Sequence, residues 1–161
     1  SLTGHFVLST LHTNDASSAP TRLIDMGVQP FLISSSLVGI LAQRLVRTLC
    51  PACKQPTEMG EYEKVALDLE KLPANVTIFK AVGCPKCHGS GYSGRTVVSE
   101  LLLINDEIRA LIIQKTDAAT IKKAAVRSGM RTLRQDALDK IFEGTTSVDE
   151  IIRAINSEEE S

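Results

Sequence analysis

The stretch CPKCHGSGYSGRTVV, residues 84–98, supports two readings that lead to different folds. Gly89 to Thr96 fits G-x-x-x-x-G-[K]-[ST] with Arg95 in place of the lysine, and the same residues spell G-x-G-x-x-G. A phosphate cradle needs a strand before it and a helix after it, so that backbone N–H groups and a helix N-terminus face the phosphates. Here a cysteine pair precedes, and the β-branched run Thr96-Val97-Val98 follows. A dinucleotide site would also need an acidic residue about 20 positions further on. The stretch therefore reads as a glycine-rich turn leaving a cysteine knuckle. Arg95 is kept as a separate candidate, a cation between glycines that could meet phosphate in trans.

Cys84 and Cys87 form one C-x-x-C pair, and Cys50 and Cys53, in CPACKQ, form the other, with no cysteine left over. In each pair a proline directly follows the first thiol and stiffens the turn. Four thiolates satisfy a tetrahedral zinc with no open position, which is the structural type of site. The interval 54–83 is longer than such motifs usually carry, but an inserted helix and strand bring its ends together. Two disulfides or a redox centre are the alternatives. The redox reading expects a single C-x-x-C at a helix start in a βαβ setting, which neither pair has. His88 could replace a cysteine as ligand, although with four thiols present it is expected to be exposed. The unit C-x-x-C-x-G-x-G also resembles the zinc domain of J-domain co-chaperones, a family that repeats it four times; it occurs once here.

Working outward from the cysteines, Phe6–Leu11 reads as a buried strand, closed by His12 to Asp15. Asp15 or Ser17 caps a helix that ends at Asp25, with Gly27 just past its end. Pro30 opens a second helix, predicted to run to Leu49 with Ile33, Leu37, Ile40, Leu41, Leu45 and Leu49 on one face. Between the cysteine pairs lie a polar helix over about Glu58–Glu70 and a strand at Val76–Phe79. Arg95–Ile104 reads as a further strand. From Asp106 onward the pattern is helical, with stripes at Ile108, Leu111 and Ile112, then Ile121, Ala124 and Ala125, then Leu133 to Phe142, then Val148 to Ile155. Thr116, Asp117 and Ser147 occupy cap positions. The expected division is 1–49, 50–94 for the cysteine subdomain, 95–104 for a returning strand, 105–156 for a helical subdomain, and a frayed tail at 157–161.

Composition narrows the function classes. Eighteen basic residues stand against nineteen acidic, a net charge of −1, which excludes the basic footprint of a nucleic-acid binder. Aromatics make up 4% with no tryptophan, so base-stacking platforms are not expected. No apolar run reaches the roughly 18 residues of a membrane span, and no secretory leader is visible. The chain opens without methionine on a β-rich run, as an interior or C-terminal piece of a larger cytoplasmic protein would.

Thr3 to Ala16, TGHFVLSTLHTNDA, brackets its expected strand with His5 and His12. Taken alone, such histidines are more often structural than catalytic, and no nucleophile, H-x-E or H-E-x-x-H pattern accompanies them. With RLIDMGVQPFLISSSLVGILAQRLVRTLCPACK, SGRTVVSELLLINDEIRALI and GMRTLRQDALDKIFEGTTSVDEIIRAI, however, the segment resembles the histidine box and following sequence of the ATPases of type II secretion and type IV pilus assembly. The likeness covers nearly the whole chain, and the tetracysteine insert sets it apart from the pilus-retraction branch.

The resemblance implies an α/β fold: the C-terminal portion of a RecA-like P-loop NTPase domain, carrying the histidine box, with a tetracysteine zinc subdomain and a C-terminal helical subdomain. It implies a homo-hexamer that turns ATP hydrolysis into motion beside inner-membrane platform components, cytoplasmic and peripheral to that membrane. Zn²⁺ would be structural, held by Cys50, Cys53, Cys84 and Cys87, and ATP with Mg²⁺ would bind the full-length protein. His5 and His12 fall in the box that senses nucleotide state. Arg95 aligns with a GRTG stretch in which Val97 here replaces the glycine. The P-loop and acidic boxes of the family precede this region, and no G-x-x-x-x-G-K-[ST] occurs in the chain, so the chain alone is expected not to hydrolyse ATP. The rival is a free-standing zinc-stapled adaptor with no energy role.

Overall fold

A computed structural model describes residues 4–69, 73–74 and 76–156. The expected tail 157–161 and the last residue of the expected Glu58–Glu70 helix lie outside the described residues. In chain order the elements are α1 (Ala19–Asp25), α2 (Pro30–Ser36), β1 (Gly39–Leu49), β2 (Gln55–Thr57), α3 (Glu61–Ala66), β3 (Ile78–Lys80), β4 (Tyr92–Leu103), α4 (Asp106–Ile113), α5 (Ala118–Arg127), α6 (Leu133–Phe142) and α7 (Val148–Asn156). β1 pairs with β4 and β2 with β3. The Cys50 N–H bonds the Gly91 carbonyl and the Ile104 N–H bonds the Val38 carbonyl. Those bonds join opposite ends of β1 and β4, so the two strands run antiparallel. β2 and β3 are antiparallel as well, with Pro56 opposite Phe79.

Two sequence expectations are overturned. The helix expected over residues 30–49 stops at Ser36, and Gly39–Leu49 is strand. Ser34 and Ser36 turn their hydroxyls back onto the Phe31 and Leu32 carbonyls, at 3.0 and 2.6 Å, a local competition that weakens a helix. Leu37 is already extended, and β4 supplies the ladder that Ile40, Val46 and Thr48 suit as β-branched residues. Phe6–Leu11, expected as a buried strand, has no regular structure, and Phe6 and Leu8 are 77% and 84% exposed. A strand exists only against a neighbour's N–H and C=O groups, and among the described residues no strand pairs with it.

The chain divides into two units, Ser1–Ala42 with Glu100–Thr132, and Gln43–Ser99 with Leu133–Ser161. In the first, α2 packs on α4, α4 on α5, and α5 on the 3-10 turn Ala16–Ser18. The core here holds Ile33, Leu102, Ile108, Ile112, Ile121 and Ala124; Ile108, Ile112, Ile121 and Ala124 are positions that the helical stripes predict. Asp15 caps the turn by accepting the Ser18 N–H at 2.9 Å, Asn105 caps α4, and Asp117 caps α5. Gly27, at φ +90°, follows α1 in a Schellman closure, its N–H on Ile24 and that of Val28 on Leu23. The buried Glu100 carboxylate accepts the Ala16 N–H at 2.7 Å, and Lys122 pairs with Asp15 at 2.9 Å.

In the second unit Val46, Met59, Leu67, Ile78, Val98, Ala137, Ile141, Val148 and Ile151 form one apolar cluster. Lys54 extends its ammonium over the Phe79 ring and donates to the Gly144 carbonyl at 2.7 Å, closing the end of α6. Beside this cluster lies Glu150, whose side chain is fully buried. It accepts the Arg47 backbone N–H at 3.0 Å, Arg47 Nη2 at 2.6 Å and Arg153 Nη2 at 2.7 Å. Arg47 also stacks on Tyr92, whose hydroxyl shares a hydrogen bond with Ser147. Burial raises the Glu150 carboxyl, but the hydrogen bonds from Arg153 and Arg47 outweigh it and bring it down to about 2.

Arg47 and Arg153 are 41% and 61% exposed, so losing the Glu150 charge strands no buried cation, and Glu150→Gln should lower stability by only about 1 kcal/mol in urea unfolding at neutral pH. The unfolded chain titrates this group near 4.5. Its contribution is therefore complete above that pH and is lost as pH falls toward 2. The gap between parent and variant should close over that window; a gap that persists at its acid end would show that the Glu150 charge is not what stabilises the unit.

Candidate metal centre

Two tight turns bring the four cysteines together. At the end of β1 the Cys50 carbonyl accepts the Cys53 and Lys54 N–H groups at 3.2 and 3.0 Å. The second turn is similar but one residue longer, with the Cys84 carbonyl accepting the Cys87 and Gly89 N–H groups at 3.2 and 3.0 Å. Pro85 starts it with a fixed φ, and Ser90 closes it through its hydroxyl on the Cys87 carbonyl at 2.7 Å. Pairing of β1 with β4, together with β2 with β3, brings the two turns to each other across the interval 54–83.

All four Sγ atoms lie within 4.8 Å of one another. Cys87 Sγ is 3.8 Å from the sulfurs of both Cys53 and Cys84. A disulfide requires about 2.05 Å, and the four cysteines are free in this structure. Metal–sulfur bonds of about 2.3 Å at tetrahedral angles place sulfurs about 3.8 Å apart, so the four residues together can hold a metal ion. Cys50 and Cys87 are buried and Cys53 and Cys84 half-buried.

Backbone donors reach the sulfurs. Cys87 Sγ accepts the N–H groups of Cys84 and Gly91, each at 3.2 Å. Burial works against the Cys87 thiolate, yet these donors and the Cys84 and Cys53 thiols outweigh it and draw its pKa down to about 6. Cys53 is pushed up to about 12, chiefly by burial, despite the Gly83 N–H. His88 is exposed with left-handed backbone at φ +53°, outside the sulfur cluster.

The other sequence candidates lie elsewhere. His5 and His12 are exposed in the segment before Ala16. His12 borders an open groove of about 300 Å³ that Ser18, Arg22 and Asp25 also line. Arg95 is exposed on β4, in the second unit. The glycine stretch runs into that strand and not into a helix, so it lacks the geometry of a phosphate cradle. Two residues of consequence were not singled out from sequence. Glu100 shares its buried face with Val98 and Leu102, so a lone carboxylate on an inward β position was the available signal. Gly91 stands in the sequence only as one member of a glycine stretch.

Residues 1–153 match the family described as type II/IV secretion system protein. The chain belongs to that family. Among curated members it is 50% identical over 153 residues to the type II secretion system ATPase E of Vibrio cholerae, covering 95% of this chain and 30% of that protein. It is 48% identical to the type II secretion system protein E of Pseudomonas aeruginosa, covering 98% of this chain and 31% of the relative. It is 45% identical to the type IV pilus assembly ATPase PilB of Thermus thermophilus, covering 94% of this chain and 17% of the relative. This member of the secretion family thus spans less than a third of the length of these relatives. No described helix is long and apolar enough to cross a membrane.

If the sulfurs are free, denaturing the metal-stripped chain without reductant should expose four titratable thiols per molecule to a thiol reagent. Two thiols or none would mean that disulfides hold these turns.

Proposed function

We propose that this chain is the C-terminal part of a RecA-like, hexameric ATPase that powers type II secretion or type IV pilus assembly from the cytoplasmic side of the inner membrane. The observation that carries this reading is the family match over residues 1–153, reinforced by relatives named as ATPases. In this reading 1–49 ends the nucleotide-binding core with the histidine box, 50–94 is the zinc subdomain, 95–104 returns to the core, and 105–156 is the helical subdomain.

Cys50, Cys53, Cys84 and Cys87 would hold zinc. With four thiolate ligands the ion has no open position and supplies a rigid vertex that staples the subdomain, not reactivity. His5 and His12 would report nucleotide state. A histidine near the phosphates bonds ATP and ADP differently and so biases two subunit arrangements. Arg95 would offer its guanidinium to phosphate. The P-loop lysine and the hydroxyl that holds Mg²⁺ have no counterpart in this sequence, so ATP and Mg²⁺ belong to the full-length ring.

The test uses both forms of the protein. The full-length hexamer should hydrolyse ATP, and His5→Ala and His12→Ala should lower turnover more than nucleotide binding. The 161-residue chain should show no turnover above a contaminant control. Hydrolysis by the isolated chain would overturn the assignment of chemistry to the rest of the ring. A full-length protein without ATPase activity would leave the adaptor reading in its place. Elemental analysis should find one zinc per chain, lost when any of the four cysteines becomes serine.

A further inference from the structure

The geometry points to Gly91 as the residue that positions the metal centre, by tying the two cysteine pairs to each other; this rests on the proposal that the four thiolates hold zinc. The Gly91 N–H donates to Cys87 Sγ at 3.2 Å, and its carbonyl accepts the Cys50 N–H at 2.9 Å. One residue thus bonds a cysteine of each pair, and these are the two buried cysteines. Four thiolates around a dication keep a net negative charge, so an N–H aimed at a sulfur both orients it and offsets that charge. Gly91 does this for Cys87 while its other side fixes the backbone of Cys50.

Only glycine fits there. Gly91 has φ +75°, and a Cβ on it would lie 2.7 Å from the Ala81 Cβ and 3.0 Å from the Val82 nitrogen. Those residues lead into Gly83, whose N–H bonds Cys53. Gly83 is itself packed so closely that a Cβ would lie 2.5 Å from the Gly89 carbonyl oxygen. A side chain at position 91 would therefore displace the Ala81–Gly83 segment and disturb Cys50, Cys53 and Cys87 together.

Gly94 supplies the control. Its φ is +85°, but a Cβ there would meet no atom within 4 Å. Gly94→Ala carries the left-handed backbone cost without touching a cysteine. Zinc affinity of the whole chain, measured by competition with a chromophoric chelator, should fall about 10- to 100-fold in Gly91→Ala and stay unchanged in Gly94→Ala. With Co²⁺ as probe, the tetrahedral thiolate bands should shift only in Gly91→Ala. Parent-like affinity and bands in Gly91→Ala overturn the proposal. A parent chain that binds no zinc overturns the zinc reading, and this inference with it. Should Gly91→Ala not fold, amide exchange in the unaltered chain decides: the Cys50 and Gly91 amides should be protected with zinc and lose protection together on chelation. Fast exchange at Gly91 in the zinc-loaded chain overturns the tie.

Discussion

Four sulfur atoms gathered within 4.8 Å of one another set a condition that the second unit has to meet. As thiolates they repel, and as thiols they offer few strong hydrogen bonds, so a cation held at their centre would favour the arrangement. The protein contributes the rest: two proline-stiffened turns, and backbone N–H groups that reach Cys87 from two directions.

The sulfur cluster also organises what surrounds it. Leu49, one residue before Cys50, donates its N–H to the Thr145 carbonyl, and Lys54, one residue after Cys53, reaches the Gly144 carbonyl. Both bonds land on the turn between α6 and α7. On the far side of that turn Thr146 bonds the Arg47 carbonyl, and Ser147 meets Tyr92. The first turn of cysteines, the end of α6 and the Glu150 network are thus consecutive steps along one path of hydrogen bonds. A small apolar cluster with a buried carboxylate gains its definition from such polar ties.

Much of this was legible in the sequence, and what was not has identifiable physical causes. The helices after Asp106 carry clean stripes and side-chain caps, information that is local and therefore readable. Two C-x-x-C pairs with nothing left over announce their own convergence, because a four-ligand site is specified by residue type and spacing. The residues around Leu41 misled because Ile40, Leu41 and Leu45 satisfy a helical stripe as well as a strand. What settles the conformation is pairing with β4, and no local pattern contains that partner. Phe6–Leu11 failed for the converse reason: β-branched and apolar residues favour a strand only where another edge is offered. Gly91 is hidden in a motif whose glycines also fit a phosphate loop, whereas its role depends on Ala81 and Cys50, both distant in sequence.

The uncovered Phe6-Val7-Leu8 segment has a consequence for how this chain behaves in solution. With a net charge of −1 and a pI near 6.3, little long-range repulsion keeps copies apart at neutral pH. Three consecutive exposed apolar side chains then act as a short-range adhesive. Repulsion between copies of the isolated chain is therefore weakest near pH 6.3 and grows as pH moves away from that point.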